Sequence, residues 1–108
     1  MESPVSKNGI LIRVTDERWT HVVESHDYMA GNLDLVIETI EEPDSIIAGE
    51  KGELIALRHY QATSISEKSV VAIYRELVDD GFLITAFMTS HPETILRKGV
   101  LWQKPPTS

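Results

Sequence analysis

Phe82-Leu83-Ile84-Thr85-Ala86-Phe87-Met88 is the stretch that decides how this chain folds. Successive side chains of a strand point to opposite faces, and here both faces are largely apolar. A strand of that kind lies inside a sheet rather than at its edge. The preceding run, Lys68 to Val78, also alternates with period two, and Asp79-Asp80-Gly81 joins the two runs as a tight turn with positive φ at Asp80-Gly81. Further back, Ser45 to Ala48 and Glu53 to Tyr60 flank Gly49-Glu50-Lys51-Gly52, a second hairpin signal. Asn8-Gly9 followed by Ile10-Leu11-Ile12-Arg13-Val14 reads as a short opening strand.

Two segments carry helical spacing instead. Asp16 is placed to cap a helix from about Glu17 to His26, with Trp19, Val22 and Val23 as its apolar stripe. His26 falls on that stripe, whereas His21 and Ser25 point roughly the opposite way. A second helix is expected after Gly31-Asn32, with Asn32 as cap and Leu33, Val36, Ile37 and Ile40 on its apolar face. Pro43 restricts Glu42 to extended geometry and stops it. After the last strand, Ser90-His91-Pro92-Glu93 fits a capping box for a helical turn ending at Gly99.

Helices ahead of an antiparallel meander define an α+β domain, with two N-terminal helices packed on one face of an antiparallel sheet of about four strands. The other face is left open for binding. The expected unit is a single domain over residues 1–108, with a core from about 10 to 102 and a frayed tail over 103–108. Trp19, Val22, Val36, Ile37, Ile40, Leu57, Ile73, Ile84, Ala86 and Phe87 are the expected core.

Composition narrows the function classes. Ten Lys and Arg against seventeen Asp and Glu leave a formal charge of −7, which opposes non-specific attraction to nucleic acid or anionic membrane. The acids concentrate at Asp34, Glu38, Glu41, Glu42, Asp44, Glu50 and Glu53, a solvated face or a docking surface for a basic partner. Cysteine is absent, which removes disulfides and thiolate metal sites. The start Met1-Glu2-Ser3-Pro4 does not read as a signal peptide, and no apolar run approaches the ~20 residues that span a bilayer. A soluble, cytoplasmic protein without membrane attachment is the expectation.

The chemistry-bearing residues are few. His21 and His26 are the natural place to look for acid–base work, because imidazole exchanges protons near neutral pH. Their five-residue separation is about 140° around a helix, so both face one reacting phosphate only if the helix ends or bends between them. That spacing also departs from the i, i+4 arrangement that aims two imidazoles at one ion. No metal or cofactor is therefore expected.

The run Trp19-x-His21-Val22-x-x-x-His26, the Glu42-Pro43-Asp44 exit from the second helix and the Thr85-Ala86-Phe87-x-Thr89 strand resemble small domains grouped with the barnase–EndoU–colicin–RelE nuclease superfold. The resemblance spans about residues 10 to 102. It implies N-terminal helices against a roughly four-stranded antiparallel sheet and metal-independent ribonuclease activity, often of toxin type. It marks His21 and His26 as candidate catalytic histidines, and Thr85 and Thr89 as polar site residues. This chain has Ser25 where related sequences usually have arginine.

Cleavage through a ribose 2′-hydroxyl needs a base, an acid and donors for the phosphorane charge. Histidine fills both proton-transfer roles, Arg58 or Arg75 can hold the phosphate, and Thr85 or Thr89 can donate a hydrogen bond. Tyr60 or Tyr28 can stack a base. Each residue also has an ordinary role: His26 as a satisfied helix-end ring, His21 as an exposed one, the arginines as ion-paired strand residues, the threonines as strand formers. Two functions follow. One is a metal-independent, toxin-type RNA endonuclease acting on RNA. The other is a non-catalytic module of similar fold that binds a protein partner, antitoxin-like or basic, through its acidic face.

Overall fold

The computed structural model describes residues 3–106, and Met1, Glu2, Thr107 and Ser108 fall outside that range. The chain runs β1 (Leu11–Arg13), α1 (Asp16–Ser25), α2 (Leu33–Glu41), β2 (Ser45–Ala48), β3 (Leu54–Tyr60), β4 (Lys68–Glu76), β5 (Asp80–Thr89), α3 (Glu93–Leu96) and β6 (Val100–Gln103). Six strands form one mixed sheet in the order β1-β5-β4-β3-β2-β6. The α+β class and the two N-terminal helices agree with expectation. The sheet has six strands rather than about four, and β1 runs parallel to β5 rather than antiparallel.

Helix α1 starts because Thr15, in extended backbone, accepts the Arg18 N–H at 3.1 Å on its hydroxyl. Asp16, expected as the cap, is instead the first helical residue, where its charge suits the helix N-terminus. Asn32 precedes α2 as expected but makes no side-chain cap. Its amide nitrogen donates to the Tyr28 carbonyl and to Ser64 Oγ, both at 3.0 Å, and so ties the helix entry to the loop after β3.

Helices α1 and α2 cover one face of the sheet. Ile12, Val14, Val22, Met29, Val36, Ile40, Ala56, Val70, Ala72, Tyr74, Leu83, Ala86 and Met88 form the buried cluster between them. A smaller cluster of Ile47, Ile55, Leu57, Val71 and Ile95 lies on the opposite face, where α3 packs through Ile95. Of the expected core, Val22, Val36, Ile40, Leu57 and Ala86 are buried, while Trp19, Ile37, Ile73, Ile84 and Phe87 are half-buried. Ile84 falls short because the register shifts there: Ile73 faces Thr85 but Tyr74 faces Leu83, so Ile84 is an extra bulge residue.

Strand β5 is internal, between β1 and β4, as its two-sided apolarity requires. The β1 ladder, however, reaches only Asp80 to Phe82. Beyond Phe82 no strand pairs on that side of β5 among the described residues. The Tyr28 hydroxyl takes the place of a strand there, accepting the Met88 N–H at 3.3 Å and donating to the Met88 carbonyl at 3.5 Å.

Three local expectations are corrected. The β4–β5 turn closes through the Leu77 N–H to the Asp80 carbonyl at 2.6 Å, and neither Asp80 nor Gly81 has positive φ. Ser90 makes no capping box, since α3 begins after Pro92 and Ser90 Oγ serves a lysine instead. The tail expectation fails at its start: Gln103 pairs with Ser45 in the sheet, and the Lys104 N–H donates to the Asp44 carbonyl at 2.8 Å. Thr107 and Ser108 of that tail lie outside the described residues.

Candidate functional site

Register builds the candidate site on the face opposite α1 and α2. His59, Ser69 and Thr89 are partners across β3, β4 and β5 and therefore form one row on that face. The next rows along the strands are Leu57, Val71 and Phe87, then Ile55, Ile73 and Thr85, then Arg75 with Phe82. The His59–Ser69–Thr89 row ends in a cleft of about 440 Å³ lined by His59, Glu67, Lys68, Ser69, Thr89, Ser90 and Pro92.

The cleft is polar and cross-braced. His59 Nε2 lies 2.7 Å from Glu67 Oε2. Lys68, at the first position of β4, donates from Nζ to Ser90 Oγ at 2.5 Å. Thr89 Oγ1 accepts the His91 N–H at 3.0 Å, which anchors the chain as it leaves β5. The His59 backbone N–H donates to Asp44 Oδ2 at 2.8 Å, so the end of β3 is fixed independently of its side chain.

His26 reaches this face from the side. As the C-cap of α1 it adopts φ −139° and ψ 81°, which ends the helix and releases the ring from its stripe. The ring lies 5.6 Å from Phe87 and 5.8 Å from Tyr28, centroid to centroid. Its Nδ1 is 3.4 Å from the Tyr28 hydroxyl, the same hydroxyl that closes the free edge of β5 at Met88. Half-buried, the imidazole stands beside β5 one row along from Thr89.

The remaining predicted residues scatter. His21 is exposed on the far side of α1, 3.6 Å from Glu24, and does not join His26. Arg58 belongs to the helix-covered face, where Nη1 donates to the Glu42 carbonyl at 2.6 Å and Nε lies 3.6 Å from Glu38. Beside it the Tyr60 hydroxyl donates to Glu38 at 2.6 Å, and burial together with that contact pushes the phenol up to about 12. Arg75 does share the open face, but Nη1 donates to the Lys51 carbonyl at 2.7 Å and Nη2 lies 3.8 Å from Glu53. Thr85 and Thr89 share that face two rows apart, on either side of Phe87.

Sequence reading missed His59, Glu67, Lys68 and Ser69 as site members. The available signal was the strand register: once Lys68–Val78 is paired with both neighbours, Ser69 must face His59 and Thr89. Three carboxylates on this face have basic neighbours: Glu53 lies 3.8 Å from Arg75, Asp80 3.1 Å from Arg13, and Glu67 2.7 Å from the His59 ring. Among the described residues no helix is long and apolar enough to cross a membrane, and no three His, Asp or Glu residues cluster as a metal site. No family model matches the chain, and no curated protein or solved structure is significantly similar to it.

Proposed function

We propose that this chain is a metal-independent RNA endonuclease, working in the cytoplasm, whose site is the open sheet face around Phe87 and Thr89. The observation that carries this reading is the placement of His26, whose ring leaves the helix and rests on Phe87 at 5.6 Å, beside the row that ends in the cleft. An imidazole half-sheltered from solvent, next to strand hydroxyls, is equipped to move the 2′-hydroxyl proton or to protonate the departing 5′-oxygen. The Thr89 and Thr85 hydroxyls supply neutral donors to the phosphate, and the Phe87 and Phe82 rings offer surfaces on which unpaired bases stack. The net charge of −7 is less adverse here than it looks, because the acids of α2 lie on the other face and Glu53 and Asp80 on this face are paired with arginines.

Incubation with single-stranded RNA in EDTA tests the reading. Cleavage to 2′,3′-cyclic phosphate and 5′-hydroxyl ends is expected, and His26→Ala lowers the rate by roughly 10²–10⁴-fold. Wild-type protein without cleavage above background, or a His26→Ala variant equal to it, overturns the reading.

The second reading, a non-catalytic module that binds a protein partner, has its own support. Arg58 and Arg75 are both committed to carbonyls and carboxylates, and the outer strand β6 leaves Val100 44% and Leu101 61% exposed at the sheet edge. A folded protein inert towards RNA selects it.

A further inference from the structure

We infer that a second cleft, where β6 borders the helix-covered face, binds a free amino acid with an aromatic side chain, Lys7 holding its carboxylate and Glu42 its ammonium. The inference is independent of the nuclease reading, because this cleft lies on the other side of the sheet from Phe87 and Thr89.

Register fixes the side. Trp102 faces Ile46, and Ile46 faces Ala56, a member of the buried cluster under α1 and α2. Helix α2 ends at Glu41, and the chain passes through Glu42 and Pro43 into β2. Glu42, Pro43 and the half-buried Trp102 line a cleft of about 300 Å³, whose wall is completed by Lys7, Arg58, Lys104 and Pro105. Small-molecule sites span roughly 300–1,000 Å³, so this one suits a ligand the size of a single amino acid.

The charges decide the chemistry. Two of the three cations are already matched. Arg58 donates from Nη1 to the Glu42 carbonyl at 2.6 Å with Nε 3.6 Å from Glu38, and Lys104 Nζ lies 3.4 Å from Asp44. Lys7 is different. Its ammonium rests over the Trp102 ring, 4.9 Å from the centroid, and among the described residues no carboxylate pairs with it. Glu42 is exposed, and among the described residues no cation pairs with its carboxylate. One positive and one negative charge thus stand uncompensated on the walls of the same cleft. A zwitterion satisfies both. A phosphate dianion, by contrast, would bring two charges to one available cation in a chain of net charge −7.

Between the charged groups, Trp102, Pro43 and Pro105 offer apolar surface to a flat ring. A cation–π contact at an exposed site is weaker than a charge-assisted hydrogen bond. Lys7 therefore leaves the Trp102 ring for the ligand carboxylate and clears that face for the side chain.

The test probe is L-phenylalanine, titrated into the intact chain by calorimetry and into a Trp19→Phe variant, in which emission reports Trp102 alone. Saturable binding below about 10 mM is expected. Phenethylamine, which lacks the carboxylate, 3-phenylpropionate, which lacks the ammonium, and L-alanine, which lacks the ring, should each bind at least about tenfold more weakly, and inorganic phosphate should not bind. Lys7→Gln and Glu42→Gln should each weaken L-phenylalanine by about tenfold, yet Lys7→Gln should leave phenethylamine unaffected and Glu42→Gln should leave 3-phenylpropionate unaffected. A structural role for either residue would not give that matched pattern. The inference is overturned by L-phenylalanine that does not saturate, by 3-phenylpropionate or phosphate binding as tightly, or by variants within about threefold of wild type. His26→Ala should leave this binding unchanged, so the cleft and the nuclease reading stand or fall separately.

Discussion

Tyr74 carries its hydroxyl into the main core, where the residue is 0% exposed and the oxygen has no hydrogen-bond partner. A buried polar group left unpaired costs about 1–3 kcal/mol, so Tyr74→Phe is expected to raise stability by ~1 kcal/mol in urea denaturation. The same burial raises the Tyr74 phenol well above its ordinary value, and Tyr60 is raised to about 12 by burial and by its bond to Glu38. The unfolded chain releases both protons near pH 10, whereas the folded chain retains them. The stability this contributes is complete below pH 10 and is lost as pH climbs towards and past 12. Melting temperature should therefore fall between pH 9.5 and 11.5, and Tyr60→Phe should flatten that fall. At this scale the sequence was legible for residues whose role is local. The position of His26 at the end of α1 could be read, because helix periodicity and the missing continuation are both short-range signals. His59 could not, because its neighbours Ser69 and Thr89 belong to two other strands and meet it only through long-range register.

Among the elements, Gly81 shows why a turn glycine can be misread. Asp80-Gly81 carries the signature of a positive-φ turn, yet the backbone there is ordinary strand. What Gly81 provides is room: a Cβ would lie 2.3 Å from the Arg75 carbonyl oxygen and 2.8 Å from Ile12 Cδ1. Gly81→Ala is expected to cost about 1–3 kcal/mol and to speed amide exchange at Ile12, as β1 is pushed off the sheet. Thr15→Ala, by removing the cap of α1, should cost about 0.5–2 kcal/mol in the same denaturation assay. The parallel pairing of β1, itself read as a short opening strand, and the whole of β6 escaped sequence reading for one cause. Strand β1 has three residues, too few for alternation to reveal a parallel partner almost seventy positions later. Strand β6 is four residues of mostly exposed edge with a register shift opposite Ile46 and Ile47, so its pattern resembles a tail between Gly99 and Pro105. By contrast α1, α2, β3, β4 and β5 were readable because each buries one continuous stripe or face, which imposes a period on the sequence.

Over the whole molecule the sheet separates the larger core from the face that carries the cleft. Thirteen residues form the buried cluster under α1 and α2, against five on the face that carries the cleft. Ile40 is 0% exposed in the larger cluster, surrounded by helix and sheet that relax little, so Ile40→Ala should cost about 2–5 kcal/mol of global stability. The molecules that remain folded keep their cleft, because Ile40 belongs to the cluster on the other face of the sheet and does not line it, and specific activity per folded chain should be unchanged. Ile95 is 8% exposed in the smaller cluster and belongs to α3, a single turn of four residues. A turn that short follows its side chain, so Ile95→Ala should lose stability only at the low end of that range. Its larger effect should fall on activity, since Pro92 immediately precedes α3 and Ser90 stands two residues before Pro92, and both line the cleft. Comparing the two variants by urea denaturation and by RNA cleavage at matched folded fraction checks this. The expected pattern is a crossing: Ile40→Ala is worse in stability, Ile95→Ala worse in turnover. Equal activity in the two would mean that the cleft walls do not depend on the smaller cluster.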